Sequence, residues 1–363
     1  MIVNAGYRGK VGAAQKFTYT GQYNVRKDGV VELLTSGTIV FLEPKVIDVF
    51  MVGGGGAGIV RSGSANSGYG GGGGGYTRTI KRIAVSKNNA YSVTIGAGGV
   101  DGNSGGSSAF SNYAVNGGVN GQIPGGGKGG SGGGAGVTSN SNYGTGGSDG
   151  SNGEDGGSDS ASNPGGVGQG FTTREFGETT GKLYAGGGGG GRYMVSATPI
   201  ISFGGSGGGG SGAWAGTNNS QAAAAGVANT GGGGGGGANH LTDIIVNGAS
   251  GGSGIVCFRD AAELPELAGT WVLNERLYAP ENNFDETTGY RFKVGTIECT
   301  RIRTSNLTHL TAYKVFSGAT VDIYTFSTNT WNTTARNLTF PAGATASDEF
   351  RAWLASNATK TVS

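Results

Sequence analysis

From Phe17 to Val52 the chain is built of short apolar runs, FTYTGQYNV, VVELL, TIVFL and KVIDVFMV. Turn signals such as Lys27-Asp28-Gly29 and Ser36-Gly37 separate them. Runs of β-branched and aromatic residues between turn residues predict strands. Past Val52 the pattern changes, and glycine blocks alternate with short apolar runs. Gly70–Gly75 leads into YTRTIKRIAV and NNAYSVTIGAGG, and later come GKLYAGGGGGGRYMV, ISFGGSGGGGSGAWAG and LTDIIVNGASGGSGIVCF. This spacing predicts a β-sandwich base from which glycine segments project and return. From about residue 262 the pattern is ordinary again. GTWVLNERLY, YRFKVGTIECTRIRT, HLTAYKVF, TVDIYTF and RNLTF predict antiparallel strands. TASDEFRAWLASNA predicts a closing helix, with Thr345 or Ser347 as cap and Phe350, Trp353 and Leu354 on one face.

Glycine density sharpens these boundaries. Of 81 glycines in 363 residues, 70 lie between residues 51 and 254 and only 5 follow. Three regions result: residues 1–52, an attachment arm and the first strands; 53–260, the glycine-rich body; and 262–363, a small α+β domain with its own core. The blocks are not collagen, because glycine does not recur at every third position. Nor is the chain a disordered one, with 14 Tyr, 14 Phe, 4 Trp and a formal net charge of +2. A polyglycine segment has no internal hydrogen bonds, so an ordered block must pair its N–H and C=O groups with neighbouring segments. The expected fold is therefore mainly β: a sandwich base, a polyglycine-II helix lattice, and the α+β domain.

Such a lattice leaves its connections at the ends: residues 60–69, 101–122, 137–182, 193–203 and 211–230. They are rich in Ser, Asn and Thr, and their aromatic residues Tyr69, Phe110, Tyr113, Tyr143, Phe171 and Trp214 are the candidate contacts to a ligand. The stretch 137–182 is longer than an ordinary connection.

Composition narrows the chemistry. Acids and bases together make up 13% of residues and form no basic stripe, so nothing recommends a nucleic-acid partner. No apolar run is long enough to span a bilayer. The opening MIVNAGYRGKVGAAQ lacks a hydrophobic signal core, as expected of a virion component released by lysis and equally of a cytoplasmic protein. Two cysteines, Cys257 and Cys299, exclude a disulfide scaffold. His240 and His309 lack companions at metal-ligand spacing. No glycine block is followed by the Lys-Ser/Thr of a phosphate loop. Glu154, Asp155 and Asp159 in GSDGSNGEDGGSD are the one acidic cluster, and they match no regular calcium loop. Neither an enzyme nor a cofactor or metal site is expected.

The run from KVIDVFMVGGGGAG through GYGGGGGGYTRTIKRIAV and NAYSVTIGAGG, then GNSGGSSAF and ASGGSGIVCF, resembles the glycine-rich, polyglycine-II-type domain of bacteriophage tail-tip and tail-fibre adhesins. The resemblance covers roughly residues 35–258. The last hundred residues, ending in EFRAWLASNAT, resemble modules on tail-associated proteins of phages of Gram-positive bacteria. The resemblance implies a receptor-binding protein at the distal end of a phage tail, exposed to the medium. Its loops, or its C-terminal domain, would contact a host surface glycan or protein. Other tail or baseplate proteins would be partners, with a possible homotrimer and no membrane insertion. The alternative is a purely structural virion role, as baseplate part, fibre joint or head decoration.

Overall fold

The computed structural model describes residues 16–59, 66–123, 125–136, 145, 155–156, 173–194, 201–217, 219–240 and 244–273. Beyond those it describes 291–294, 297–303, 309–312, 322–325, 330–331, 337–340, 342, 351, 354–355 and 358–361. The chain divides into two compact units, Met1–Ala261 and Ala262–Ser363. The expected attachment arm, residues 1–15, lies outside the described residues.

The first unit opens with β1 (Phe17–Tyr19), β2 (Tyr23–Val25), β3 (Val31–Leu33), β4 (Gly37–Phe41) and β5 (Lys45–Val52). Then come β6 (Ser67–Gly68), β7 (Thr77–Val85), β8 (Ala90–Thr94), β9 (Ser108–Phe110) and β10 (Tyr113–Val115). The remaining strands of this unit are β11 (Arg192–Met194), β12 (Trp214–Gly216), β13 (Ser220–Gln221), β14 (Ala238–His240), β15 (Ile244–Val246) and β16 (Ile255–Asp260).

Two five-stranded antiparallel sheets, β1-β4-β8-β9-β10 and β2-β3-β16-β5-β7, form the base. Between them lies a core that includes Phe17, Leu33, Ile39, Phe41, Ile47, Val49, Met51, Phe110, Val256 and Phe258. The Phe258 ring meets Phe17 and Phe41 edge-on, at 5.4 and 5.6 Å between centroids. β5 is apolar without alternation because both of its faces are covered. Ile47, Val49 and Met51 join the sandwich core, while Phe50 and Val52 join a second cluster with Phe176, Tyr184, Ile255 and Cys257.

The glycine blocks run between the sandwich and two small sheets, β11-β12-β13 and β15-β14-β6. Their hydrogen bonds leave each block in three directions. Gly53, Gly56 and Ile59 donate to Tyr76, Gly73 and Gly70; Gly54 and Ala57 donate to Gly106 and Asn103; Gly55 and Gly58 donate to Gly252 and Ala249, all at 2.9–3.2 Å. Neighbours approach so closely that a Cβ on Gly55 would sit 2.0 Å from the Gly232 oxygen. Glycine is therefore required by the contact itself.

The second unit holds β17 (Gly269–Leu273), β18 (Arg291–Val294), β19 (Ile297–Arg303), β20 (His309–Ala312), β21 (Asp322–Thr325), β22 (Thr330–Trp331), β23 (Asn337–Phe340) and β24 (Ala358–Lys360). They make two antiparallel sheets, β23-β17-β24 and β18-β19-β20-β21-β22. Trp271 is buried and its Nε1 donates to the Leu267 carbonyl at 2.9 Å.

Two parts of the expected fold are corrected. The glycine blocks are not a lattice of helices. Among the described elements of the first unit the only helical one is a single 3-10 turn, Glu175–Gly177, and the fold is mostly antiparallel sheet. The blocks are sideways-bonded connectors between sheets, short enough that strands at either end fix their register. The described elements of the second unit are all antiparallel strands paired in two sheets, which corrects the α+β domain expected there. Of the closing helix expected over 345–358, Arg351, Leu354 and Ala355 have described helical backbone, Ala358 opens β24, and the rest lies outside the described residues.

Candidate functional site

The bonds between glycine segments sort the first unit into layers. At the sandwich end, Gly53 donates to Tyr76, Tyr76 to Asn116, Gly75 to Gly231, Gly231 to Ser253 and Gly254 to Gly96. Along the blocks, at the far end, Ile59 donates to Gly70, Gly70 to Gln122, Gly191 to Tyr69, Tyr69 to Gly237 and Gly248 to Ile59. The connections after Ile59, Gln122, Met194, Gly216 and His240 thus all open at this far end. A rigid body whose chain reversals gather on one end offers a surface assembled from several separate segments.

The far end is capped by the two three-stranded sheets. Their shared core is small, Ala213, Ala215 and Ala238 with Ala223, Ile244 and Val246 packed against it. Short side chains suit strands that emerge directly from close-packed glycine segments. Asn66, Gln122, Ile123, Thr217, Asn219, Gln221, Ile245 and Asn247 are exposed there, and Ile123 keeps 57% of its surface open. None of these residues carries a charge.

The aromatic candidates fall elsewhere. Tyr69 and Trp214 stand at the far end but are buried. The Tyr69 hydroxyl accepts from Asn239 Nδ2 at 2.8 Å, and Trp214 Nε1 donates to Gln221 Oε1 at 3.1 Å. Phe110 lies in the sandwich core on β9, stacked on Tyr91 at 6.0 Å, and Tyr113 is half-buried on β10. Tyr143 and Phe171 lie outside the described residues. Tyr69, Phe110 and Trp214 therefore pack the molecule and present no ring to a ligand. In a body of glycine, large rings are the main material from which a core can be made. Of these exposed residues, Asn66, Gln122, Thr217, Asn219 and Gln221 lie in connections expected from the sequence, whereas Ile123, Ile245 and Asn247 do not. The signal available was position: Gln122-Ile123-Pro124 and Thr217-Asn218-Asn219 interrupt glycine-rich stretches as chain reversals.

A cluster of charged residues lies at the sandwich, where residues 173–184 cover the outer face of β5 and β16. Arg26 Nη1 reaches both Glu175 oxygens, at 2.7 and 2.8 Å, and its Nη2 holds Asp28. That bond from Arg26 keeps the Asp28 carboxyl below its ordinary range. Arg259 Nη2 holds Glu178 at 2.6 Å, and its guanidinium lies 4.2 Å from the Phe176 ring centre. Tyr184 donates to Glu175 at 3.2 Å. Burial, then Cys257 and Glu175 nearby, push its phenol well above the usual range. Burial, then Glu175 and Glu32, push the Cys257 thiol up as well. A buried, protonated thiol is inert, so this cluster fastens the segment and offers no nucleophile.

Among the described residues no group of three or more His, Cys, Asp and Glu is placed to hold a metal ion. Of Glu154, Asp155 and Asp159, only Asp155 is described, and it is exposed. His240 is buried on β14, and the side chain of His309 lies outside the described residues.

A family model described as a glycine-rich domain matches residues 35–260. The matched domain is non-catalytic. No curated protein matches the chain. The match carries no phage-specific identity, which corrects the resemblance to polyglycine-II tail adhesins: what remains of it is the glycine-rich domain, built on sheets.

Proposed function

The chain belongs to the glycine-rich domain family, and from that premise we propose that it is an adhesin, a non-catalytic scaffold whose far end contacts a ligand on a cell surface. The observation that carries this reading is that five segments, at Ile59, Gln122, Met194, Gly216 and His240, end together at one end of a body held rigid by bonds in three directions. Rigidity matters because a contact surface that is already ordered loses little conformational entropy on binding. The ligand class follows from the exposed side chains. Amides, hydroxyls and isolated isoleucines suit an uncharged glycan or a neutral protein surface better than a polyanion. The setting proposed is the distal part of a bacteriophage tail, with a host surface glycan or protein as receptor.

The test uses the full-length chain beside residues 1–261 and 262–363, each labelled and mixed with intact cells and isolated walls from a panel of bacteria. The proposal expects residues 1–261 to adsorb to the cells that the full chain binds. Adsorption by 262–363 alone would move recognition to the second unit. Failure of the full chain across the panel would favour a purely structural virion role.

A further inference from the structure

We infer that Ala97, Val100, Phe203, Ser206, Ala222 and Ala225 close the sides of the glycine body against a second copy of this chain. Inside the body, glycine segments bond sideways by occupying the space where a Cβ would stand. A Cβ on Gly188 would lie 2.0 Å from the Gly234 oxygen, and one on Gly209 2.1 Å from the Gly187 oxygen. Nothing in that chemistry limits the number of segments. An outermost segment made of glycine would accept a further one, just as an open sheet edge accepts a further strand.

The outermost segments are built differently. Among the described residues from Gly53 to Gly254 no glycine is exposed, and every exposed position carries a Cβ. On two outer segments the exposed positions stand three residues apart, Ala97 and Val100, Phe203 and Ser206, and on the third Ala222 and Ala225 are exposed together with Ala224, Val227 and Ala228. Between the members of the first two pairs, Gly99 and Gly205 are buried and Gly98 and Gly204 half-buried. Among the described residues, none of the six outward residues donates its backbone N–H to another segment. These are groups that a neighbouring body would need, and each of the six residues carries a Cβ of the kind that would collide at about 2 Å inside the body.

Charge does not do this work. The stretches 95–100, 201–206 and 222–228 contain no Lys, Arg, Asp or Glu, and the whole chain has a formal net charge of only +2. Repulsion between copies is therefore weak, and the Cβ groups are what remains to keep these faces apart.

The experiment compares the full-length chain with a variant carrying glycine at all six positions and another carrying serine at all six. Light scattering after size exclusion reads the mass over a wide concentration range. The wild-type chain and the serine variant are expected to keep one mass, while the mass of the glycine variant rises with concentration. A folded glycine variant that keeps the wild-type mass overturns the inference, as does a serine variant that associates like the glycine one. Single Ala97→Cys and Ala225→Cys chains give a reading that does not depend on the multiple variant folding. Under oxidising conditions they should form no more cross-linked dimer than a cysteine placed on the sandwich at Lys27. Rapid, preferential cross-linking at either site would show that the faces already meet in the wild type.

Discussion

At Gly72 a methyl group would stand 2.0 Å from the carbonyl oxygen of Gly56, with both backbones fixed by bonds to further segments. Neither side can give way, so Gly72→Ala should cost at least about 3 kcal/mol, at the severe end for a single substitution. The reverse change at an outward position, Ala97→Gly, should cost about 1 kcal/mol or less, the backbone-entropy term alone. Chemical denaturation of the two variants separates these outcomes. Buried acids set the alkaline limit. Burial pushes the Tyr19 phenol up to about 12, and Tyr184 and Cys257 are raised as well. All three bind their protons more tightly folded than unfolded. Their contribution is complete below the unfolded values, near 9 for the thiol and 10 for the phenols, and is lost as pH climbs through the folded ones. The melting temperature should therefore fall steadily from about pH 9 upward, and less steeply in Tyr184→Phe. A flat profile to pH 11 would count against this burial. At this scale the sequence shows that glycine is needed but not which glycines touch. Nor does it show that Tyr69, Phe110 and Trp214 face inward, since an aromatic residue in a polar stretch reads the same whether it packs or projects.

Among the elements, the strands were the most legible. FTY, VEL, TIVF, KVIDVFMV and TRTIKRIAV read directly as β1, β3, β4, β5 and β7, because β-branched runs bounded by turns leave little choice. Less visible was the segment 173–184, which has no strand pattern and is held by side chains from distant parts of the chain. Arg26 and Glu175 are 149 positions apart, and no local rule connects them. That pair supplies an ordering test. Arg26→Ala strands a carboxylate that is only 5% exposed, whereas Glu175→Ala strands a guanidinium that keeps 26% of its surface open. Arg26→Ala should accordingly be the more damaging, by about 3 kcal/mol against about 2, the partial exposure of Arg26 holding both below the strongest buried pairs. Equal and negligible losses in a denaturation series would mean that the segment is held by Phe176 and Tyr184 packing alone. The small sheets at the far end were equally hard to foresee. Strands of two or three residues such as β6 and β13 carry too little pattern to be seen without their partners.

For the whole molecule, the glycine-rich region and the separate composition of the last hundred residues could both be read from glycine density. Connections at the ends of the glycine body were expected, but not that five share one end, which shows only once the bond directions place them in one layer. The uncharged character of the described exposed residues at this far end makes a prediction for binding. Adsorption through amides, hydroxyls and isoleucines should change little between low and physiological salt, whereas contact with an anionic polymer would weaken as salt screens it. The most direct test of the account places a charge on that end. Full-length chains carrying Ile123→Lys with Asn219→Lys should fold as the wild type does, since both side chains are exposed. They should also lose about tenfold or more of their adsorption to cells that bind the wild-type protein. Lys27→Glu, on the sandwich, should leave adsorption unchanged. If the far-end variant adsorbs as well as the wild type, the surface that grips the cell lies elsewhere and the central claim is contradicted.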